Sequence, residues 1–177
     1  IDGSGINFIN KVVDSKEDNS FLFRNFYNGG GVALGDINND GLDDVFIGGA
    51  KRQTSGLFLQ TGKGTFVRSF QKIFEQDSIQ EDVDAVFIDV DSDKDMDLLV
   101  VTGGNEFTGS SINQKPKLYL NNGKGNFEAS NGLPDLYITA SSVSVADFDQ
   151  DNDQDIFIGV RTIPYRYGEE PDNHLLQ

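Results

Sequence analysis

The chain has 177 residues, with 29 acidic against 14 basic side chains, a net charge of −15 and a pI near 4.2. Proteins that grip phosphates do so with Lys and Arg, so this balance excludes nucleic acid as a partner and argues against docking on an anionic membrane surface. Hydrophobic content of 37% with 14 Phe is too apolar for a disordered acidic tail, no apolar run is long enough for membrane insertion, and the absence of Cys excludes disulfides and thiolate sites.

Taken in chain order, Ile6–Ile9 and Phe21–Phe23 read as short N-terminal strands within residues 1–30, supplied to a neighbouring unit. From residue 31 the chain repeats itself. Gly31–Gly48, Ala85–Val100 and Val143–Gly159 each read as apolar strand, acidic loop, apolar strand, and the first Asp of each loop falls at 36, 89 and 147, intervals of 53 and 58. Val45–Ile47, Leu98–Val101 and Ile156–Ile158 are short runs rich in β-branched, Leu and Phe residues, closed by Gly, acidic or turn residues, the pattern of strands buried on both faces. A second shared element, Leu57–Phe66 and Leu118–Phe127, carries hairpin signals at Thr61-Gly62 and Asn122-Gly123, where Gly supplies a positive φ. The third unit reaches only His174–Gln177.

The fold class is therefore all-β. Four-stranded antiparallel units of this length suggest β-propeller blades: residues 31–69, 84–129 and a truncated 141–177. About three blades cannot close a ring, and open blade edges offer a route to self-association. The chain opens at Ile1 rather than Met and stops within an apolar stretch, so it is expected to belong to a longer protein whose signal segment lies elsewhere.

Within each loop, carboxylate or amide side chains recur at positions 1, 3, 5 and 9: Asp36, Asn38, Asp40 and Asp44; Asp89, Asp91, Asp93 and Asp97; Asp147, Asp149, Asp151 and Asp155. Position 7 (Leu42, Asp95, Asp153) would present its backbone carbonyl. All-oxygen donors so closely spaced suit a hard cation, and calcium accepts the irregular geometry that magnesium does not. An EF-hand would need Glu at position 12, where Ile47, Val100 and Ile158 stand, so that motif is rejected. Asp-rich turns can also be plain solvated loops, but three in one register, with only Lys94 to offset their repulsion, point to bound cations.

The stretch Gly31–Gly41 followed by Asp44 and Gly48 resembles the FG-GAP repeat of integrin α-subunit propellers, and still more the VCBS-type repeats of large bacterial surface and secreted proteins. Tyr27–Gly31 resembles the lead-in of Bacteroidetes repeat proteins with ASPIC/UnbV-type regions. The resemblance covers about residue 28 onward and implies a seven- or eight-bladed propeller in the intact protein, with one Ca²⁺ per loop, three sites here. The family prefers Gly at position 6, as at Gly41; Lys94 and Asn152 depart from it, and Lys holds left-handed geometry at some cost. The RNA-binding label of ASPIC/UnbV-type proteins conflicts with the acidic balance.

These readings favour a calcium-stabilised, extracellular adhesion or interaction module, cell-surface or exported to the periplasm, over an enzyme. The expected alternative is a carbohydrate-binding or polysaccharide-degrading propeller. A protein or glycan ligand is expected on the face opposite the calcium loops, where the variable connections 50–56, 70–83, 103–116, 130–140 and 161–172 gather. Phe107, Tyr165, Tyr167 and the stretch Asn105–Asn113 are candidate contacts there, and His174 reads as a strand residue rather than a catalytic base. Of the 29 acids, 14 lie in the three loops, so three Ca²⁺ would bring the net charge to −9.

Overall fold

A computed structural model describes residues 3–23, 26, 28–107, 109–166 and 168–177. The chain is all-β, in antiparallel sheets whose neighbours follow chain order. The first sheet holds β1 (Val32–Gly35), β2 (Asp44–Ile47), β3 (Gly56–Gly62) and β4 (Thr65–Ser69). The second holds β5 (Glu81–Ile88), β6 (Asp97–Gly103), β7 (Lys117–Asn121) and β8 (Phe127–Ser130). The third holds β9 (Thr139–Ala146), β10 (Asp155–Thr162) and β11 (His174–Leu176). The acidic loops join first to second strands, and their registers correspond: Val45 opposes Phe58, Leu98 opposes Tyr119 and Ile156 opposes Leu176.

Side-chain alternation along a strand divides the second sheet between two cores. Ala85, Phe87, Leu98 and Val100 face Ala33, Phe46 and Leu57 of the first sheet, whereas Ile88, Leu99 and Val101 face Val143, Ile156 and Ile158 of the third. Strand β6 is buried along its whole length for that reason. The first strands of successive sheets lie close. Gly31 has no room for a Cβ against the Asp84 backbone, and the Asp84 carboxylate accepts the Val143 N–H at 2.9 Å. The outer faces remain open to solvent, with Val32 and Leu34 exposed on the first sheet and Phe157 and Leu175 on the third.

Three expectations are corrected. Ile6–Ile9 and Phe21–Phe23 form no strand. The segment instead crosses the first sheet, and side chains replace a ladder: Gln53 bonds Lys11 N and Ile9 O, both at 2.7 Å, and Asn10 Oδ1 accepts Ala50 N at 2.9 Å. In the first hairpin the left-handed residue is Gly64 (φ 77°), while Gly62 stays in β3 opposite Thr65; in the second, Gly123 and Gly125 are both left-handed. The connection between the first two sheets contains a short helix, α1 (Lys72–Gln76), which an all-strand reading omits. Its Phe74 is buried edge-on between Phe46 and Tyr119, with ring centroids 5.5 and 5.2 Å away.

Asn28 ties the N-terminal segment to the second sheet by donating to Glu81 Oε2 at 3.1 Å. Glu81 is buried at the start of β5. Burial pushes its carboxyl up to about 7, with Glu106 and Asp82 adding to the shift and the Asn28 bond opposing it.

Phe74→Ala is expected to cost about 3–5 kcal/mol in urea unfolding with the denaturant slope unchanged, because an aromatic at the centre of one core leaves a cavity. Between its unfolded value of 4.5 and about 7, Glu81 binds more proton in the folded chain than in the unfolded one. Stability therefore falls as pH rises through that window, by about 3 kcal/mol in total. At fixed free calcium Glu81→Gln should flatten that part of the stability curve, and an unaltered slope would refute the assignment.

Candidate metal centres in the acidic loops

Hydrogen bonding in the three loops follows one plan. The position-1 carboxylate accepts the backbone N–H groups of positions 5 and 6: Asp36 from Asp40 (3.1 Å) and Gly41 (2.8 Å), Asp89 from Asp93 (3.2 Å) and Lys94 (3.1 Å), Asp147 from Asp151 (3.1 Å) and Asn152 (3.2 Å). The position-5 carboxylate accepts the N–H of position 7 at 2.9 Å for Asp40 and Asp93 and 3.1 Å for Asp151. Short acidic side chains bonding their own backbone in this way curl the loop inward.

The curl needs two left-handed residues in each loop. Gly41, Lys94 and Asn152 at position 6 have φ of 85°, 75° and 78°. Position 4, which the sequence reading did not single out, is left-handed as well: Asn39, Ser92 and Gln150 have φ of 60°, 62° and 65°. Asn39 shows the only strong signal for this, since Asn tolerates that region and Ser and Gln do so less readily.

Position 9 differs from the rest. Asp44, Asp97 and Asp155 are 0%, 1% and 2% exposed and open the second strand of each sheet. One oxygen accepts the position-2 N–H: Asp44 from Ile37 (3.2 Å), Asp97 from Val90 (3.1 Å), Asp155 from Phe148 (2.6 Å). The other accepts from the third strand, Gln60 N or Asn121 N, both at 2.8 Å. The Asp155 Oδ1 is buried and has no hydrogen-bond partner among the described residues. Burial holds the Asp44 and Asp97 carboxyls above their ordinary value despite these bonds, and the neighbouring loop carboxylates push the same way.

Oxygens of Asp89, Asp91 and Asp97 all lie within 4.8 Å of one another, as do those of Asp147, Asp149 and Asp151. These two sets of hard oxygen donors, with little cationic charge beside them, fit a calcium-sized ion. In the first loop Asn38 stands where the others have a third closely placed acid, and among the described residues no such triad forms there. The position-7 residues Leu42, Asp95 and Asp153 sit in the same turns. The Asp95 side chain is turned away to accept Asn39 Nδ2 of the first loop at 3.1 Å. Asn121 adds a second link, donating to Ile37 O (2.7 Å) and Met96 O (3.1 Å) while its Oδ1 accepts Asn122 N and Gly125 N; only its place in the repeated Gly-rich turn hinted at this.

Of the residues expected at the other end, Asn105 and Tyr165 line one pocket, while Phe107 and Asn113 lie apart from it. Lys51 Nζ stands 5.4 Å from the Phe107 ring centre, Asn105 Oδ1 accepts Thr162 Oγ1 at 2.9 Å, and Tyr165 is exposed in a turn. Asn113 N donates to Ser111 Oγ at the start of a short 3-10 turn, and His174 opposes Ile158 in β11. Tyr27 and Tyr167 lie outside the described residues. Among the described residues no helix is long and apolar enough to cross a membrane.

The family model for the FG-GAP-like repeat matches residues 36–100 and again 101–158, and the chain belongs to that family. No curated protein matches it.

Lys94 holds a backbone conformation that costs a side-chain-bearing residue about 1 kcal/mol. Lys94→Gly also removes a positive charge from the loop. It should therefore raise thermal stability and tighten any cation held by the second loop, both readable by calorimetry with and without chelator.

Proposed function

We infer that this FG-GAP-like repeat chain is a calcium-stabilised interaction module: an array of propeller blades, at residues 31–69, 84–129 and 141–177, working outside the cell. The observation that carries the reading is the shared loop plan, in which the same positions turn their carboxylates inward in three separate loops. Calcium would be held by Asp36, Asn38, Asp40 and Asp44 in the first loop, by Asp89, Asp91, Asp93 and Asp97 in the second, and by Asp147, Asp149, Asp151 and Asp155 in the third. The carbonyls of Leu42, Asp95 and Asp153 would complete the sets. When bound, the ion supplies charge neutralisation and cross-links each turn, which is a structural role.

Family membership supports an extracellular setting, where calcium is abundant enough to load weak, about millimolar sites. The up-and-down strand order supports a division of labour. Loops and Gly-rich hairpins share one end of the sheets, and the connections of unequal length are left for a protein or glycan partner at the other. Open outer sheet faces add a surface for self-association.

Calcium titration of the full-length protein should show one ion for each acidic loop, with affinities that differ because the first loop has fewer carboxylates. At about 100 times its dissociation constant each ion should add about 2.7 kcal/mol of stability. Asp91 makes no hydrogen bond with a described residue, so Asp91→Ala should remove one site and leave the backbone plan intact. Heat-free titration at millimolar calcium, with no change in melting temperature, would sink the reading.

A further inference from the structure

We propose that the pocket between Phe21–Phe23 and the turn after β10 binds a carboxylate-bearing sugar, a hexuronate unit of an acidic glycan. The proposal names a ligand class for the interaction-module reading and rests on it. The pocket has a volume of about 610 Å³ and is lined by Phe21, Phe23, Asn105, Arg161, Tyr165 and Arg166 among others. That volume is in the range of small-ligand sites.

Its charge is the reverse of the rest of the chain. In a protein of net charge −15, two guanidinium groups line one pocket against a single carboxylate, Glu169. Arg166 pairs with Glu169 at 3.1 Å, but Arg161 forms no ion pair with a described residue. Its Nη1 donates to the Asn28 side-chain oxygen at 3.0 Å, and Asn28 is anchored in turn on buried Glu81. A neutral amide thus aims the guanidinium without neutralising it, and its remaining donors match a carboxylate fork. Thr162 Oγ1 occupies the Asn105 side-chain oxygen, so the Asn105 amide N–H groups are what that side chain can offer a ligand.

The aromatic surfaces are presented at a cost. Ile163–Arg166 form a turn closed by Arg166 N to Ile163 O at 3.1 Å, with Pro164 second and Tyr165 third. Tyr165 has φ of 60°, a conformation that such Pro-led turns ordinarily give to Gly. A Tyr kept there is strained, and the residue is 69% exposed with the Phe23 ring edge-on at 5.9 Å. Phe21 beside it is 98% exposed. Flat exposed rings suit the C–H face of a sugar. A lining of guanidinium and amide donors suits its carboxylate and ring oxygens, and serves a peptide less well because a peptide brings N–H donors of its own.

The test uses the full-length, calcium-loaded protein titrated by calorimetry with a hexuronate trisaccharide, its methyl ester and an acidic peptide. Expected are saturable binding of the acid and at least about tenfold weaker binding of the ester, one decade being about 1.4 kcal/mol. Tyr165→Gly should keep or raise the melting temperature while weakening the acid about tenfold or more, and Arg161→Gln should erase the preference of acid over ester. Absence of saturable acid binding, unchanged binding by Tyr165→Gly, or tighter binding of the peptide would overturn the pocket assignment. A protein that takes up no calcium would instead overturn the interaction-module reading.

Discussion

The buried aspartate that opens the second strand of each sheet is the constraint on which the architecture depends. Asp44 and Asp97 are withdrawn from water, and an uncompensated carboxylate there would be strongly destabilising. Each is tolerated because one oxygen takes an N–H from the start of the acidic loop and the other an N–H from the third strand. One side chain thereby joins three strands of its sheet. A slip of one residue between second and third strands would strip the carboxylate of a donor and turn the Phe46 and Leu99 side chains out of their cores. Charge burial, loop closure and strand register are therefore a single condition.

The loop also fixes how one sheet meets the next. Position 2, immediately after the first Asp, is Ile37, Val90 or Phe148. Ile37 is fully buried in the core shared with the second sheet, and Asn121 of that sheet holds its carbonyl at 2.7 Å. Val90 packs in the same sense against the third sheet, while Phe148 is exposed. The interfaces thus repeat in the manner of a linear array, each sheet packing against the next. Gly31 and Asp84 belong to the same device, since the close approach of first strands leaves no space for a side chain on the earlier one.

The sequence was most legible where it repeats. Apolar runs such as Leu98–Val101 and acidic loops in one register locate the strands and turns, because alternation and side-chain-to-backbone bonding are both local effects. The position-9 aspartates were legible as acids but not as buried clamps, since burial depends on the third strand covering them. Ile6–Ile9 and Phe21–Phe23 read as strands because Ile6, Phe8 and Phe21 carry strand propensity, whereas the partners that decide the segment's path, Gln53, Gly48 and Lys51, lie far along the chain. Helix α1 is too short to show a period, and Phe74 alone reveals it through packing. The turn at Tyr165 was hidden by having Tyr where Gly would have marked it.

The two ends of the sheets consequently differ in what holds them. At the acidic end each loop is specified by its own nine residues, so it can be copied from unit to unit with little regard for the rest of the chain. At the other end the contacts join distant segments. Arg161 of the third sheet, Asn28 of the N-terminal segment and Glu81 of the second sheet form one hydrogen-bonded line, and the Phe23–Tyr165 contact crosses the same gap. Side chains at that end keep their positions only while both sheet interfaces keep theirs. An acidic end that is modular and an opposite end that is composite are thus two consequences of one repeat.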